Sequence, residues 1–279
     1  MTPLRQTMIE QCQLRGLSPR TIDSYVYAVE QISRYYHQRP EYLTNAQLEA
    51  YFTYLAIDKK LSRNTIHVQL NGIYFFFEHV LHKSFKITKP LAKKPVKLPV
   101  LLNADEVQKI IGNCNDPKYR TMLLTYYGTG LRLMELVALK VQDIDGKRSV
   151  LKVINGKGNK DRYVILTPSV LDMLRRYWQV YRPSSWLFYS SHSKDSPVSS
   201  TSVSRALRDA VQKAGIKKRC SIHTLRHAYA THQLTSGMPL HELQNQLGHN
   251  SLKTTQNYLH WLPEMGGGAR DLLANWTLT

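Results

Sequence analysis

Residues 149–166 read SVLKVINGKGNKDRYVIL and decide the fold class, because they hold the clearest pair of β-strands in the sequence. The runs SVLKVI (149–154) and DRYVIL (161–166) are short and rich in β-branched residues, and the glycine-containing NGKGNK between them is typical of a hairpin turn. Helical patterns occupy most of the chain on both sides. The sequence therefore predicts a mainly α protein with one small β-hairpin or sheet.

The helical patterns around the hairpin predict a C-terminal domain over residues 103–279. Before the hairpin, Asn103 and Glu106 stand at the reciprocal positions of a helix cap, and further helices are expected near 118–128 and 132–140. After the hairpin, the expected helices cover 167–177, 203–214, 223–236, 239–247 and 251–260, and a glycine follows three of them.

Residues 1–82 predict a separate N-terminal domain of about four helices, with no strand candidate. Helix-cap signals precede three of these helices: Ser18 ahead of a proline, Thr44 three residues ahead of a glutamine, and Ser62. Apolar residues recur at helical spacing after each cap. A small helical bundle is the natural way for such helices to bury their apolar faces.

Residues 83–102 are predicted to link the two domains. The stretch FKITKPLAKKPVKLPVLLN (85–103) contains three prolines and five lysines, and proline disfavours helix while favouring an extended, stiff chain. Its lysines either lie against a phosphate backbone or are solvated as in an ordinary linker.

The composition points to a polyanionic partner. Lys and Arg number 38 against 20 Asp and Glu, a net charge of +18, and the excess lies on sequence that is predicted to fold, which favours nucleic acid over a membrane surface. No apolar run approaches the roughly 18–20 residues of a membrane span, and no signal peptide is evident. Three cysteines without CxxC spacing argue against a disulfide framework or a cysteine zinc site. We therefore expect a soluble protein of a reducing compartment.

Four segments carry side chains suited to phosphate chemistry, namely GTGLRLMEL (128–136), GKGNKDR (156–162), HTLRHAYATH (223–232) and LGHNSLKTTQNY (247–258). Their candidate site residues are Arg132, Lys157, His223, Arg226, His249 and Tyr258. Each has an ordinary structural explanation when taken alone. Arg132, for example, could simply pair with Glu135 one turn later.

Together these side chains supply what breaking a phosphodiester requires. Two guanidinium groups can hold the non-bridging oxygens, and His223 or His249 can donate to the same oxygens or move a proton. A tyrosine hydroxyl can attack phosphorus, and a lysine can protonate the leaving oxygen. Because fixed cations would neutralise the transition state, we expect no metal or other cofactor. The sequence also lacks the common metal-ligand motifs and the phosphate loop of NTP-hydrolysing enzymes.

The order and spacing of these motifs resemble the tyrosine recombinases, also called the phage integrase family. The resemblance rests on TGLRLMEL, GKGNKDR, HTLRH and LGH, with a tyrosine nine residues after the LGH histidine. HxLRH together with LGH-x8-Y is its specific part. The resemblance covers nearly the whole chain, because the N-terminal helices and the basic linker are similar to the SAM-like core-binding domain of that family.

The resemblance implies a fold, an activity and partners. The two domains would form a C-shaped clamp around double-stranded DNA, and a homotetramer would act on two recombination sites. Tyr258 would attack the scissile phosphate, surrounded by the other five candidates, and form a 3′-phosphotyrosyl link without metal or ATP. A second strand would then reverse the reaction, which is site-specific recombination, in the cytoplasm of a bacterium and at its nucleoid. The sequence carries no pattern that identifies a target DNA sequence or an accessory protein.

Several alternatives stay open at this point. Lys160 competes with Lys157 as the acid, Tyr229 is a weaker rival nucleophile, and Glu135 is expected to fix the helix of Arg132. The tail after Tyr258 either docks on a neighbouring protomer or folds back in cis. A type IB topoisomerase or a non-catalytic DNA-binding regulator would share parts of the pattern. The two-domain length argues against the former, and a regulator would not need Tyr258.

Overall fold

The computed structural model divides into two units, Met1–Val96 and Lys97–Thr279. It describes residues 2–84, 99–154 and 161–259. The predicted linker at 83–102, with its five lysines, falls largely outside these ranges. Its limits, the domain boundaries and the C-shaped clamp therefore stay predictions.

The first unit is helical throughout its described residues, as predicted. Its helices are α1 (Pro3–Leu14), α2 (Pro19–Tyr36), α3 (Asn45–Ile57) and α4 (Arg63–His79). The three predicted caps are present: the side chains of Ser18, Thr44 and Ser62 each accept a backbone N–H at the start of their helix. Helix α4 packs against α1, α2 and α3 around a buried core that includes Met8, Ile32, Leu48, Phe52, Ile73 and Phe76.

The described part of the second unit combines eight helices with a small antiparallel sheet. The helices are α5 (Ala104–Gly112), α6 (Pro117–Thr129), α7 (Leu133–Val137), α8 (Pro168–Tyr181), α9 (Ser200–Lys213), α10 (Ile222–Thr235), α11 (Leu240–Leu247) and α12 (Leu252–Gln256). Helix α10 packs against α5, α6 and α11, and α11 packs against α12 and the sheet. Among the described helices, none has both the length and the apolarity needed to span a membrane.

The sheet confirms the predicted hairpin and adds one strand. Strands β2 (Val150–Val153) and β3 (Arg162–Ile165) pair antiparallel, with Leu151 opposite Val164. The added strand β1 (Ile144–Asp145) pairs with β2. It escapes sequence analysis because it has only two residues, and its turn forms where Asp145 Oδ1 accepts the N–H groups of Lys147 and Arg148. The NGKGNK turn at 155–160 lies outside the described residues.

Two helices near the site are shorter than predicted. Helix α7 ends at Val137 rather than near residue 140, because Lys140 is extended, bridges to Trp186, and leads into a 3₁₀ turn whose start is capped by Asp143. Helix α12 ends at Gln256 rather than near 260. Tyr258 therefore follows that helix instead of lying within it.

Candidate active site

Two glycines that end helices lie at the centre of the site. Gly130 follows α6 and Gly248 follows α11, both with left-handed backbone at φ 61° and 62°, which glycine adopts without steric cost. A Cβ on Gly130 would overlap the Tyr229 ring, and one on Gly248 would lie 2.7 Å from Arg162 Nε. Both positions therefore need glycine for conformation and for space.

The first arginine of the site, Arg226, is buried in the middle of the second unit. It lies on α10, is 5% exposed, and donates to the carbonyl oxygens of Gly130 and Leu247, the latter at 2.7 Å. Its Nη2 is 3.3 Å from His249 Nε2. Burial and the charge of Arg132 lower its pKa, but a guanidinium stays protonated in proteins. The result is a fixed positive charge.

The second arginine, Arg132, reaches the same place from the start of α7. Its Nη1 donates to Glu135 Oε1 at 2.8 Å and its Nη2 to the Gly248 carbonyl at 2.5 Å. Its side chain is 23% exposed, so this guanidinium remains accessible to a ligand. The predicted Arg132–Glu135 pair is present, and it forms part of a larger arrangement.

That arrangement includes Arg162, which sequence analysis missed. Arg162 donates to both oxygens of Glu135, at 2.8 and 2.7 Å, and to the Gln246 carbonyl at 3.2 Å. Burial alone raises the pKa of Glu135, but the hydrogen bonds from Arg162 and Arg132 outweigh it and hold the pKa at about 2. The ionised Glu135 therefore braces Arg132 against β3. The strand alternation that buries Val164 also turns Arg162 inward, and this signal could have found it.

His249 lies between Arg226 and the start of the last described helix. Its Nδ1 is hydrogen-bonded to Thr255 Oγ1 at 2.9 Å, while its Nε2 faces Arg226. Thr255 is fully buried on α12. The two contacts orient the imidazole, and sequence analysis had not singled out Thr255.

Tyr258 completes the described cluster from the segment after α12. Its ring is parallel to that of His249, at 7° with centroids 6.3 Å apart, and its hydroxyl oxygen is 3.2 Å from His227 Nδ1. The residue is 4% exposed. Burial raises the pKa of its phenol, against the opposing charges of Arg226 and Arg132. Four of the six predicted residues, Arg132, Arg226, His249 and Tyr258, thus lie together.

The other two predicted residues differ. His223 lies on the first turn of α10 with an exposed side chain, and desolvation and the charge of Arg226 lower its pKa. Lys157 and its rival Lys160 fall in 155–160, outside the described residues.

Two further residues of HTLRHAYATH serve packing. Tyr229 is buried in an apolar cluster with Leu243 and Leu247, and burial raises its pKa to about 12. His232 is hydrogen-bonded to Tyr127 Oη at 2.7 Å and to the Leu102 carbonyl at 2.9 Å, which ties α10 to α6.

An open cleft of about 540 Å³ is lined by Arg132 and its partner Glu135. Arg132, Lys140 and Lys152 contribute positive charge to its lining, and the Lys140 ammonium lies 5.0 Å from the centre of the Trp186 ring. Within residues 2–84, 99–154 and 161–259, no group of three or more His, Cys, Asp or Glu side chains is arranged to hold a metal ion. The arrangement can bind a phosphate beside a phenol.

Comparisons with known proteins show the family of the chain. A family model described as "Phage integrase family" matches residues 101–265, and one described as "Phage integrase, N-terminal SAM-like domain" matches residues 4–87. Among relatives, the Sinorhizobium fredii protein named "Putative integrase/recombinase y4qK" is 41% identical over 93% of this chain and 84% of its own length. Tyrosine recombinase XerC of Lactobacillus leichmannii is 30% identical over 88% of this chain and 90% of its own length.

Solved structures agree at the level of the fold. The crystal structure of XerA recombinase is 29% identical, has a TM-score of 0.56 and covers 95% of each chain. A lambda integrase tetramer bound to a Holliday junction gives a TM-score of 0.74 at 19% identity, over 91% of this chain and 76% of that chain. The two relatives named above carry the names of an integrase/recombinase and a tyrosine recombinase. The chain belongs to the phage integrase family and is a tyrosine-type site-specific DNA recombinase.

Proposed function

We propose that the chain cleaves and rejoins double-stranded DNA with Tyr258 as the nucleophile. The phenolic oxygen bonds to phosphorus, the bond from phosphorus to the 5′-oxygen breaks, and a 3′-phosphotyrosyl link and a 5′-hydroxyl result. The observation that carries the proposal is the meeting of two guanidinium groups, an imidazole and a phenol at the Gly130 and Gly248 turns.

The proposed roles follow from the chemistry of each group. Arg132 and Arg226 bind the non-bridging oxygens, because an arginine held by backbone carbonyls still has N–H donors for a phosphate. His249 and His223 donate to the same oxygens, and Lys157 protonates the leaving 5′-oxygen. The ester keeps the energy of the broken bond, so the 5′-hydroxyl of another strand reverses the step without ATP or metal.

The proposal extends to the assembly. Residues 1–82 would act as the core-binding domain, 83–102 as the linker and 103–279 as the catalytic domain, in a homotetramer on two DNA sites. The tail after Tyr258 would pack on a neighbouring protomer, because the three glycines at 266–268 give it reach and Leu272, Leu273 and Trp276 are apolar. Since its partner is DNA and the relatives named above are bacterial, we place its action at a bacterial nucleoid.

A covalent trapping assay tests the nucleophile. The substrate is a nicked duplex carrying the site that the protein selects from a random-sequence library, incubated in EDTA and analysed on a denaturing gel. Tyr258→Phe should bind this duplex normally and give no adduct. Tyr229→Phe should give the adduct, since Tyr229 serves packing. A full-strength adduct from Tyr258→Phe would disprove the assignment, and a strict need for magnesium would indicate metal chemistry.

A modified substrate tests the acid. A duplex with sulfur in place of the bridging 5′-oxygen has a better leaving group that needs no proton. Lys157→Ala should cleave it at nearly the parent rate, although it fails on ordinary DNA. Arg132→Ala should fail on both, because the sulfur leaves the non-bridging oxygens unchanged. Rescue of Lys160→Ala instead would move the acid to that residue.

A further inference from the structure

We propose that His227 accepts the phenolic proton of Tyr258 when the tyrosine attacks DNA. This inference rests on Tyr258 being the nucleophile, as proposed above. The family motif draws attention to His223 and His249, whereas the residue in contact with the reacting oxygen is a third histidine.

The geometry suits a direct proton transfer. His227 Nδ1 is 3.2 Å from Tyr258 Oη, within the reach expected of a general base. The two rings lie 5.7 Å apart at 56°. His227 is half-buried near the middle of α10, which α5, α6 and α11 hold in place. The base is therefore fixed by the core, while the nucleophile follows the five-residue helix α12.

Burial and the neighbouring charges keep His227 neutral, so that it can accept a proton. Burial, then His223 and then Arg226 lower its pKa below the ordinary 6.5, so the ring is neutral at pH 7. In the Nε2–H tautomer, Nδ1 accepts the hydrogen bond from the phenol. On α11, the titratable residues His241 and Glu242 are exposed and 4.0 Å apart, and neither is among the groups that shift the pKa of His227.

The titratable groups of α5 and α6 are also not among the groups that shift the pKa of His227. On α5, Glu106 pairs with Lys218 at 2.7 Å, and Asp105 and Lys109 are exposed. On α6, the Tyr127 hydroxyl is hydrogen-bonded to His232. The buried phenol of Tyr126 has a raised pKa and is uncharged.

The other two histidines are placed for different work. His249 directs its Nδ1 to Thr255 and its Nε2 to Arg226, which orients it toward the arginines and the phosphate they would bind. His223 has an exposed side chain one helical turn before His227.

The proposed cleavage step transfers two protons. As Tyr258 Oη bonds to phosphorus, its proton passes to His227 Nδ1, while the leaving 5′-oxygen takes a proton from Lys157. During rejoining, the attacking 5′-hydroxyl gives its proton to the neutral Lys157 amine, the bond from phosphorus to the phenolic oxygen breaks, and the imidazolium returns its proton to the departing phenolate. An unperturbed phenol is ionised in only about one molecule in a thousand at pH 7. Burial makes the Tyr258 phenolate scarcer still, so a base in contact with the phenol has a large effect.

Single-turnover cleavage of the nicked duplex between pH 6 and 9.5 tests the proposal. The parent rate should be flat above neutral pH and fall in acid, as His227 is protonated. His227→Gln keeps a hydrogen-bonding side chain but cannot take the proton. We expect about 10²-fold slower cleavage at pH 7 and a rate that rises tenfold per pH unit, since the phenolate must form first. His241→Gln is the matched control and should follow the parent.

A second replacement separates proton transfer from mere positioning. Exchange of Tyr258 for 3,5-difluorotyrosine lowers the phenol pKa, so it should narrow the gap between the parent and His227→Gln at pH 7. A parent-like rate and flat profile in His227→Gln would overturn the proposal. Slow cleavage by His227→Gln that neither high pH nor fluorination relieves would also overturn it. So would a cleavage rate that rises tenfold per pH unit in His223→Gln instead of in His227→Gln. An adduct on Tyr258 in the parent, with any of these results, leaves the proposed function intact.

Discussion

The two ends of the site are held in different ways. At one end, Arg132 and Arg226 are fixed by backbone carbonyls and by the buried Glu135. At the other end, Tyr258 follows a five-residue helix, and its hydroxyl meets the side chain of His227. The difference is chemically sensible. Charge that stabilises a transition state works best when it is fixed before the reaction, whereas a nucleophile must change its bonding during each cycle.

The largest effect is expected from removing the carboxylate that holds the arginine end of the site. Glu135→Gln leaves Arg132 and Arg162 without their buried anion. Removing one partner of a buried pair costs about 3–5 kcal/mol, and we expect cleavage to fall about 10²-fold or more as Arg132 loses its orientation. Chemical unfolding and the trapping assay measure the two effects. The exposed Asp209→Asn is the control, and equal behaviour of the two variants would show that the brace is dispensable.

The same carboxylate makes stability depend on pH. Its folded pKa, about 2, lies below the ordinary 4.5, so its contribution is present above pH 4.5 and is lost as pH falls toward 2. Between pH 6 and pH 2, the free energy of unfolding of the parent should fall by about 3 kcal/mol more than that of Glu135→Gln. Parallel pH curves for the two proteins would contradict this.

A smaller effect should follow from crowding the turn that holds Arg132. Gly248→Ala places a Cβ against Arg162 in a left-handed backbone, and we expect about 1–2 kcal/mol of destabilisation and roughly tenfold slower cleavage. Gly215→Ala, just after α9, is the matched control, because this glycine also has a left-handed backbone, at φ 65°, and its Cβ meets nothing within 4 Å. It should lose a similar amount of stability and cleave at nearly the parent rate. Equal losses of cleavage rate in both variants would mean that the crowding is unimportant.

The smallest effect on cleavage is expected from a change beside His249, which lies between the arginines and Tyr258. Thr255→Val removes the hydroxyl that is hydrogen-bonded to His249 Nδ1, worth about 1 kcal/mol, and should slow cleavage about 5-fold. The exposed Thr254→Val is its control. If the two variants cleave alike, His249 is oriented by Arg226 instead.

Local signals predicted most of the fold. The caps at Ser18, Thr44 and Asn103 are read from a few consecutive residues, because a helix start depends on its own first turn. The hairpin strands follow from β-branched runs in the same way. The two-residue strand β1 and the early end of α7 were missed, because each depends on hydrogen bonds in a loop rather than on periodicity.

Site residues that belong to a sequence motif were predicted. Residues that join the site through contacts between distant segments were not. The motif spacing indicated Arg132, Arg226, His249 and Tyr258. The pairing of Arg162 with Glu135 joins residues 27 apart on a strand and a helix. Which histidine of α10 meets Tyr258 depends on how α10, α11 and α12 pack, and no pattern within one helix contains that information.

The Gly248 carbonyl accepts a hydrogen bond from Arg132, which precedes it by 116 residues in the sequence. The ribosome therefore adds Arg132 to the chain well before Gly248. At about 5–20 residues per second, Arg132 waits roughly 6–23 seconds on the ribosome before its partner exists. Tyr258 follows later still. A chain interrupted between residues 132 and 247 thus lacks both the turn that orients Arg132 and the proposed nucleophile, Tyr258. Incomplete products of translation are therefore expected to be unable to cut DNA.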